Sequence, residues 1–282
     1  RERDPETYMN VFTEDTDSVY HIRFFAQGRK GGEYKILGLI PCNLHLFQAE
    51  GDGQVFLFGT DSMGRDLFSR VLLGARISLF IPVVGMLMTV ALGLLIGSLA
   101  GYFGGWVDML IQRAIEVVRS FPNVPLWMAL SAALPATLKP AQVFMLMTVI
   151  LSLISWPNLA RTVRSQFFAV KQEDFIMAAR ISGAPAPAIV TRHMIPSFLS
   201  YIIVNMTLTI PQLIVGETTL SFLGLGLRSP ATSWGVLLQE TNQLETIMFY
   251  GWKLIPMLFV FLAVLAFNFL GDGLRDAADP YK

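Results

Sequence analysis

The 282-residue chain is short of charge. Asp, Glu, Lys and Arg make up 15% of it, 53% is hydrophobic and the mean hydropathy is +0.53; soluble domains run near a quarter charged. The 21 basic and 21 acidic residues cancel, which removes any global electrostatic case for a nucleic-acid partner. A single cysteine, Cys42, excludes an internal disulfide framework and a cysteine-built zinc site, and it reads as a small apolar residue of a local cluster. His21, His45 and His193 are scattered, with no H-E-x-x-H, so neither a metal site nor a hydrolase is expected. There is no G-x-x-x-x-G-K-S/T either, so the chain does not cradle nucleotide phosphates in a P-loop, and no catalytic residue and no cofactor of its own are expected. No signal peptide opens the chain.

What is present is apolar length. A helix needs about 20 apolar residues to cross a bilayer, and five stretches qualify: Ala75 to Ala100, Val107 to Leu134, Gln142 to about Ala160, Ser197 to Val215 and Trp252 to Leu270. An all-α polytopic membrane protein follows, with residues 67–282 as its transmembrane domain. Gly93 and Gly97 stand four apart and predict close helix approach; Tyr102 to Trp106 reads as an interfacial turn with aromatic anchors. The second stretch is strained by Arg113, Glu116 and Arg119. At 1.5 Å per residue, a helix ending near Leu134 leaves Arg119 about 22 Å below that end, inside a core about 30 Å thick, unless Pro122 and Pro125 kink it. These charges are read either as an interfacial ion-pair cluster or as the lining of a polar cavity.

Residues 1–66 read as an extramembrane region, with short strands or turns in Tyr34 to Leu46. Its last part, Thr60, Asp61, Gly64, Arg65 and Asp66, is a polar turn into a helix whose first turn holds Gly64 to Asp66, capped by a Thr or Asp. It serves either as a capping and ion-pair cluster at the membrane surface or as a substrate contact. Asn205, Thr207, Thr209 and Gln212 are polar groups inside the fourth stretch, which Glu217 closes; in lipid such groups face other helices or a wet path. Residues 218–251 form an irregular, glycine-rich loop with a short helix from Trp234 to about Asn242. Candidates for a translocation path or gate are Arg119, Asn205, Gln212, Glu217 and Trp234; bracing is the plainer role for Trp234.

One charged stretch interrupts the apolar runs, EDFIMAARISGAPAPAIVTRHMIP, from Glu173 to Pro196. A segment with Glu173, Asp174, Arg180 and Arg192 must leave the bilayer. It begins as a helix former, turns at Gly183 and returns stiffened by Pro185 and Pro187, making a knob on one membrane face. The excess of Arg and Lys between Pro157 and Pro196 puts that face in the cytoplasm. Alternation then places Gly101 to Gly105 and the C-terminal tail inside, and residues 1–66 and 218–251 outside. Five spans with the first residue outside lead us to expect a sixth, N-terminal span preceding Arg1.

AARISGAPAPAIVTRHMIP, from Ala178 to Pro196, resembles the EAA loop of bacterial ABC importer permeases, E-A-A-x-x-x-G followed after nine residues by I-x-L-P. Ala178, Ala179, Gly183 and Pro196 match; Ile195 stands for the Leu, His193 for the Ile and Met177 for the Glu. Phe58 to Leu79, Leu220 to Leu238 and Asn268 to Pro280 are similar to blocks of the second permease subunit of dipeptide, oligopeptide and nickel importers. The four blocks cover the chain from about residue 56 onward.

The resemblance implies a type I ABC importer fold in the bacterial inner membrane, embedded in membrane lipid. Its partners would be a homologous permease in a heterodimer, one or two ABC ATPase subunits that bind ATP and magnesium, and a periplasmic solute-binding protein. It implies ATPase coupling through Glu173, Asp174, Ala178, Ala179, Arg180, Gly183 and Pro196. The cargo is read as peptide, with nickel, heme-like or oligosaccharide cargo as the alternative. An ion-coupled secondary transporter would leave the EAA-like loop unexplained, and a purely structural scaffold would tolerate the loss of Gly183.

Overall fold

The computed structural model describes residues 2–3, 10–11, 19–28, 34–36, 40–51, 53–135 and 137–278. They fall into two compact units, Arg1–Leu57 and Phe58–Lys282. The boundary lies before the polar turn, not after Asp66. Phe58 stacks edge-on against Phe68 at 5.1 Å and lies 6.0 Å from Phe259, which ties the turn to the second unit.

The first unit contains β1 (Glu2–Arg3), β2 (Asn10–Val11), β3 (Ile22–Gln27), β4 (Tyr34–Ile36), β5 (Ile40–Cys42) and β6 (Leu44–Ala49). They pair as three antiparallel ribbons, β1 with β2, β3 with β6 and β4 with β5. The Tyr34 to Leu46 stretch is thus strand where described. Residues 279–282 of the polar tail and residues 4–9, 12–18, 29–33 and 37–39 lie outside the described residues.

The second unit is helical: α1 (Leu67–Phe103), α2 (Gly105–Arg119), α3 (Asn123–Ala132), α4 (Pro140–Val170), α5 (Asp174–Ile181), α6 (Ala186–Ala188), α7 (Ile195–Ser197), α8 (Leu199–Phe222), α9 (Trp234–Gln239), α10 (Leu244–Phe249) and α11 (Ile255–Ala278). Among the described residues, four helical stretches are long and apolar enough to cross a membrane: α1, α4, α8 and Gly251–Ala277, which includes α11. The remaining expected span, Val107 to Leu134, is divided. Pro122 cannot donate to a helix ladder and disfavours helical backbone at Phe121; α2 stops at Arg119 and α3 starts at Asn123. The kink expected at Pro122 is therefore a full break, and it carries Arg119 to an exposed helix end.

The core forms where α1 runs along α4. A β-carbon on Gly93 would meet Leu159 at 2.8 Å, one on Gly97 the Ala160 carbonyl oxygen at 2.6 Å, and one on Gly101 Phe167 at 2.4 Å. Gly93 and Gly97 thus make the close seam their spacing predicts, and Gly101 extends it. Leu151, Phe167, Ile214 and Leu220 are fully buried around it.

At one end of the bundle, Lys171 Nζ donates to the Tyr102 carbonyl at 2.7 Å, and the Arg180 guanidinium lies 5.6 Å from the Tyr102 ring centre. This brings the ends of α1 and α4 together with α5. Near the start of α1, the 59–66 turn meets Glu240 and Lys253.

Candidate functional site

The charged loop folds as a short helix, a tight turn and a helical return. Asp174 opens α5 and Arg180 closes it, each placed favourably for the helix dipole. Glu173 occupies the N-cap position without a side-chain hydrogen bond to the helix. At the other end the Gly183 N–H donates to Arg180 O at 3.0 Å and the Ala184 N–H to Ala179 O at 3.1 Å. This is the paired hydrogen-bond pattern of a Schellman turn, and it requires the left-handed backbone that Gly183 adopts at φ +78°. Open space surrounds the position where a Gly183 side chain would start, so the constraint there is conformational and not steric crowding.

The return, expected to be stiffened by Pro185 and Pro187, is largely helical. Pro185 is extended, but Pro187 lies within the first turn of the return, α6, where a missing N–H costs nothing. The chain then widens into a π-helical segment, Ile189–Met194, before α7, which carries Pro196 in its first turn. Phe198, at φ −126°, separates α7 from α8.

Two sides of α5 differ sharply. Ile176 is fully buried, and Ala179 and Ala184 pack on the main core. Phe175, Met177 and Ile181 are 46%, 50% and 86% exposed, and Ala178 is exposed beside them. Only one of the paired alanines therefore belongs to the outward face.

At the start of α1, Asp61 organises the polar turn. Its carboxylate accepts from Met63 N at 2.8 Å, Arg65 N at 2.9 Å, Arg65 Nε at 2.7 Å and Arg70 Nη1. Burial alone would raise its pKa; the Arg65 and Met63 hydrogen bonds and the Arg70 charge outweigh that and hold it below the ordinary carboxylate value. Gly64 turns with φ +75°. Asp66 is the N-cap, accepting from Phe68 N at 3.3 Å and Ser69 N at 2.9 Å, so α1 begins at Leu67 and not at Gly64.

The turn is also tied to distant segments. The Thr60 carbonyl accepts from Trp252 Nε1 at 3.0 Å. Glu240 accepts from Ser62 N at 3.1 Å and pairs with Lys253 at 3.1 Å, while Lys253 donates to Ser62 Oγ at 3.1 Å. Burial raises the Glu240 pKa, but the Ser62 contacts and Lys253 more than reverse this and leave it lowered. The sequence does not single out Ser62, Glu240 and Lys253, because Ser62 lies 178 and 191 residues from its two partners.

The expected path residues separate into two groups. Arg119 and Gln212 are exposed, Asn205 is half-buried, and Asn205 Nδ2 donates to the Tyr201 carbonyl at 3.3 Å. Glu217 and Trp234 are buried and linked through Ser78: Ser78 Oγ donates to Glu217 Oε2 at 3.2 Å and accepts from Trp234 N at 3.0 Å. Glu217 does not close a helix, because α8 continues to Phe222 and the carboxyl lies within it. Among the described residues no group of His, Cys, Asp and Glu is arranged to hold a metal ion.

The family model for the binding-protein-dependent transport system inner membrane component matches residues 93–281. The chain belongs to that family. This permease subunit is 41% identical to the oligopeptide transport system permease protein OppC of Haemophilus influenzae over 225 residues, 79% of this chain and 70% of that protein. It is 40% identical to the dipeptide transport system permease protein DppC of Bacillus subtilis over 225 residues, 79% and 68% of the two chains. The glutathione transport system permease protein GsiD of Pectobacterium atrosepticum is 38% identical over 231 residues, 82% of this chain and 74% of that one.

In fold, the permease is similar to a chain of the inward-facing MetNI methionine ABC transporter, with a TM-score of 0.55 and 16% identity over 76% of this chain and 98% of that one. A chain of an amino acid ABC transporter with histidines gives 0.55 and 16% over 80% and 99%. The fold is thus that of type I ABC importer transmembrane domains, and the protein is a multi-pass membrane subunit of an importer that works with an ATPase and a binding protein.

Proposed function

We propose that this permease pairs with a homologous one to form the bacterial inner-membrane path for peptides released by a periplasmic binding protein. ATP and magnesium are held by the ATPase subunits, which act on this chain through α5. Peptide cargo is supported by the oligopeptide, dipeptide and glutathione systems among its relatives. The knob faces the cytoplasm and residues 218–251 the outside, in keeping with the Arg and Lys excess between Pro157 and Pro196.

The observation that carries the coupling role is the outward face of α5. Phe175, Met177 and Ile181 stand exposed on a segment whose charges exclude it from lipid, and an apolar face in water marks a protein contact. An amphipathic helix of this kind seats in a groove of the partner. Ala178 keeps the contact low, Glu173, Asp174 and Arg180 rim it, and Gly183 fixes the exit that carries motion through the helical return and Pro196 into α8.

Along α8, Tyr201, Asn205, Leu208, Gln212 and Val215 recur every three or four residues. Tyr201, Leu208 and Val215 are 39%, 38% and 49% exposed. Amide side chains on an apolar span avoid lipid, so this stripe faces the second permease and the wet path between the two.

Gly183→Val tests the coupling role, because a β-branched side chain strains the left-handed turn. In the assembled complex, peptide uptake and peptide-stimulated ATP hydrolysis are expected to fall at least tenfold with the subunit still inserted. Unchanged uptake and hydrolysis would remove α5 from the coupling path.

A further inference from the structure

Glu217 is fully buried in the last two turns of the spanning helix α8, and among the described residues no Lys or Arg pairs with it. Its hydrogen-bond donors are hydroxyls of two helices, α1 and α8. Ser221, one turn further along α8, donates to Oε1 at 2.9 Å; Ser78 of α1 donates to Oε2 at 3.2 Å. Ser233, the N-cap of α9, directly precedes Trp234, whose N–H the Ser78 hydroxyl oxygen accepts.

Each of these serine oxygens already accepts a backbone N–H. Ser78 takes Trp234 N at 3.0 Å, Ser221 takes Leu227 N at 3.2 Å and Ser233 takes Val236 N at 3.2 Å. A hydroxyl has one proton to donate. Ser78 and Ser221 thus accept amides of the 223–242 segment with their oxygens while their protons go to Glu217. The carboxyl is thus the common acceptor through which that segment is fastened to α1 and α8.

The joint is tight around it. A β-carbon on Gly235 would meet Ser221 Cβ at 2.6 Å, and one on Gly74 would meet the Ser233 carbonyl carbon at 3.3 Å. Trp234 lies in the same joint, donating Nε1 to the Val71 carbonyl at 3.0 Å and packing near Phe259 at 6.4 Å.

A permanent contact between membrane helices is made more cheaply by apolar packing, since a buried carboxyl costs desolvation. Hydrogen bonds to rotatable hydroxyls can be broken and remade without exposing an unpaired cation. An ionisable group at this depth is therefore assigned to function first.

We propose that Glu217 is a latch: through Ser78 and Ser221 it fastens the segment between α8 and α10 to α1, and this joint releases and re-forms during each transport cycle. The proposal rests on the importer reading above for the existence of a cycle, not for the geometry of the joint. Glu217 acts as a positioning residue and need not touch cargo.

Two measurements on the assembled complex in proteoliposomes test it, in a Cys42→Ala background. In the first, Val71→Cys and Leu237→Cys, which belong to one buried cluster across the joint, are joined by a short bis-thiosulfonate. Peptide uptake is expected to fall at least tenfold on cross-linking and to return with reductant. Uptake that continues at the uncross-linked rate would show a static joint and overturn the proposal.

The second needs no transport. Val236→Cys, buried on α9, is labelled with maleimide at rest and after trapping with ATP and vanadate. A several-fold difference between the two states is expected. Glu217→Ala should bring the slower state up to the faster one, while Glu217→Gln, which keeps one acceptor and the same length, should fall between. Equal labelling in both states contradicts the latch. Labelling that still switches in a complex that takes up no peptide leaves the latch standing and removes the peptide assignment.

Discussion

The region around the start of α1 and the α5 knob are both rich in charge, yet they use it in opposite ways. Around Asp61, four donors meet one buried carboxylate, and Ser62, Glu240 and Lys253 tie the turn to segments far along the chain. Around α5, Glu173, Asp174 and Arg192 make no ion pair among the described residues, and apolar side chains stand in the open beside them. The first cluster is complete within this subunit; the second is the face we propose for the ATPase contact. Charge density alone does not separate a brace from a docking surface, but partner satisfaction does.

Removing the central acceptor should break this contrast most forcefully. Asp61→Ala leaves Arg70, which is 8% exposed, without its counter-charge. The loss of one partner of a buried pair costs about 3–5 kcal/mol, and the thermal midpoint of the purified subunit should drop by several degrees. Asp174→Ala, on the exposed knob, should stay within about 0.5 kcal/mol. Equal losses at the two sites would show that the knob is braced from within.

Acid should distinguish the two regions next. The folded pKa values of Asp61 and Glu240 lie below those of unfolded carboxylates, about 4. Their ties contribute fully above that pH and are lost as pH falls through the depressed folded values. A stability profile measured from pH 6 to pH 3 should fall at its acid end, and Asp61→Asn with Glu240→Gln should flatten that fall. An unchanged profile would mean that these carboxylates do not govern the acid limb.

The smallest effect on the fold is expected at Ile181, 86% exposed. Ile181→Lys should leave the subunit's thermal midpoint unchanged while weakening ATPase binding about tenfold, measured by pull-down or calorimetry. A fall in subunit stability with unaltered binding would assign Ile181 to the fold.

Much of this was legible from residue type and spacing. Long apolar runs give spans because the bilayer sets their length, and Gly93 and Gly97 give a seam because their spacing repeats with the helix. Gly183 was legible because few residues tolerate its backbone. The break at Pro122 was read too gently: apolar content continued through it, while the missing N–H ended the helix. Glu217 was read as a helix end because a charge after an apolar run resembles a boundary. Its partners, Ser78 and Ser221, are ordinary serines until the fold brings them together, and Ser62, Glu240 and Lys253 are equally unremarked in sequence. Pairing between distant segments carries no local signal.

The central claim is that the ATPase meets this permease at α5 and not at the Asp61 end. Single cysteines at Ile181 and Met63, both exposed, can be compared in the assembled complex with a short thiol-to-amine cross-linker. Ile181→Cys is expected to yield a covalent product with the ATPase subunit, in an amount that changes with ATP, and Met63→Cys none. A product from Met63→Cys, or none from Ile181→Cys in a complex that still hydrolyses ATP in response to peptide, would contradict the account.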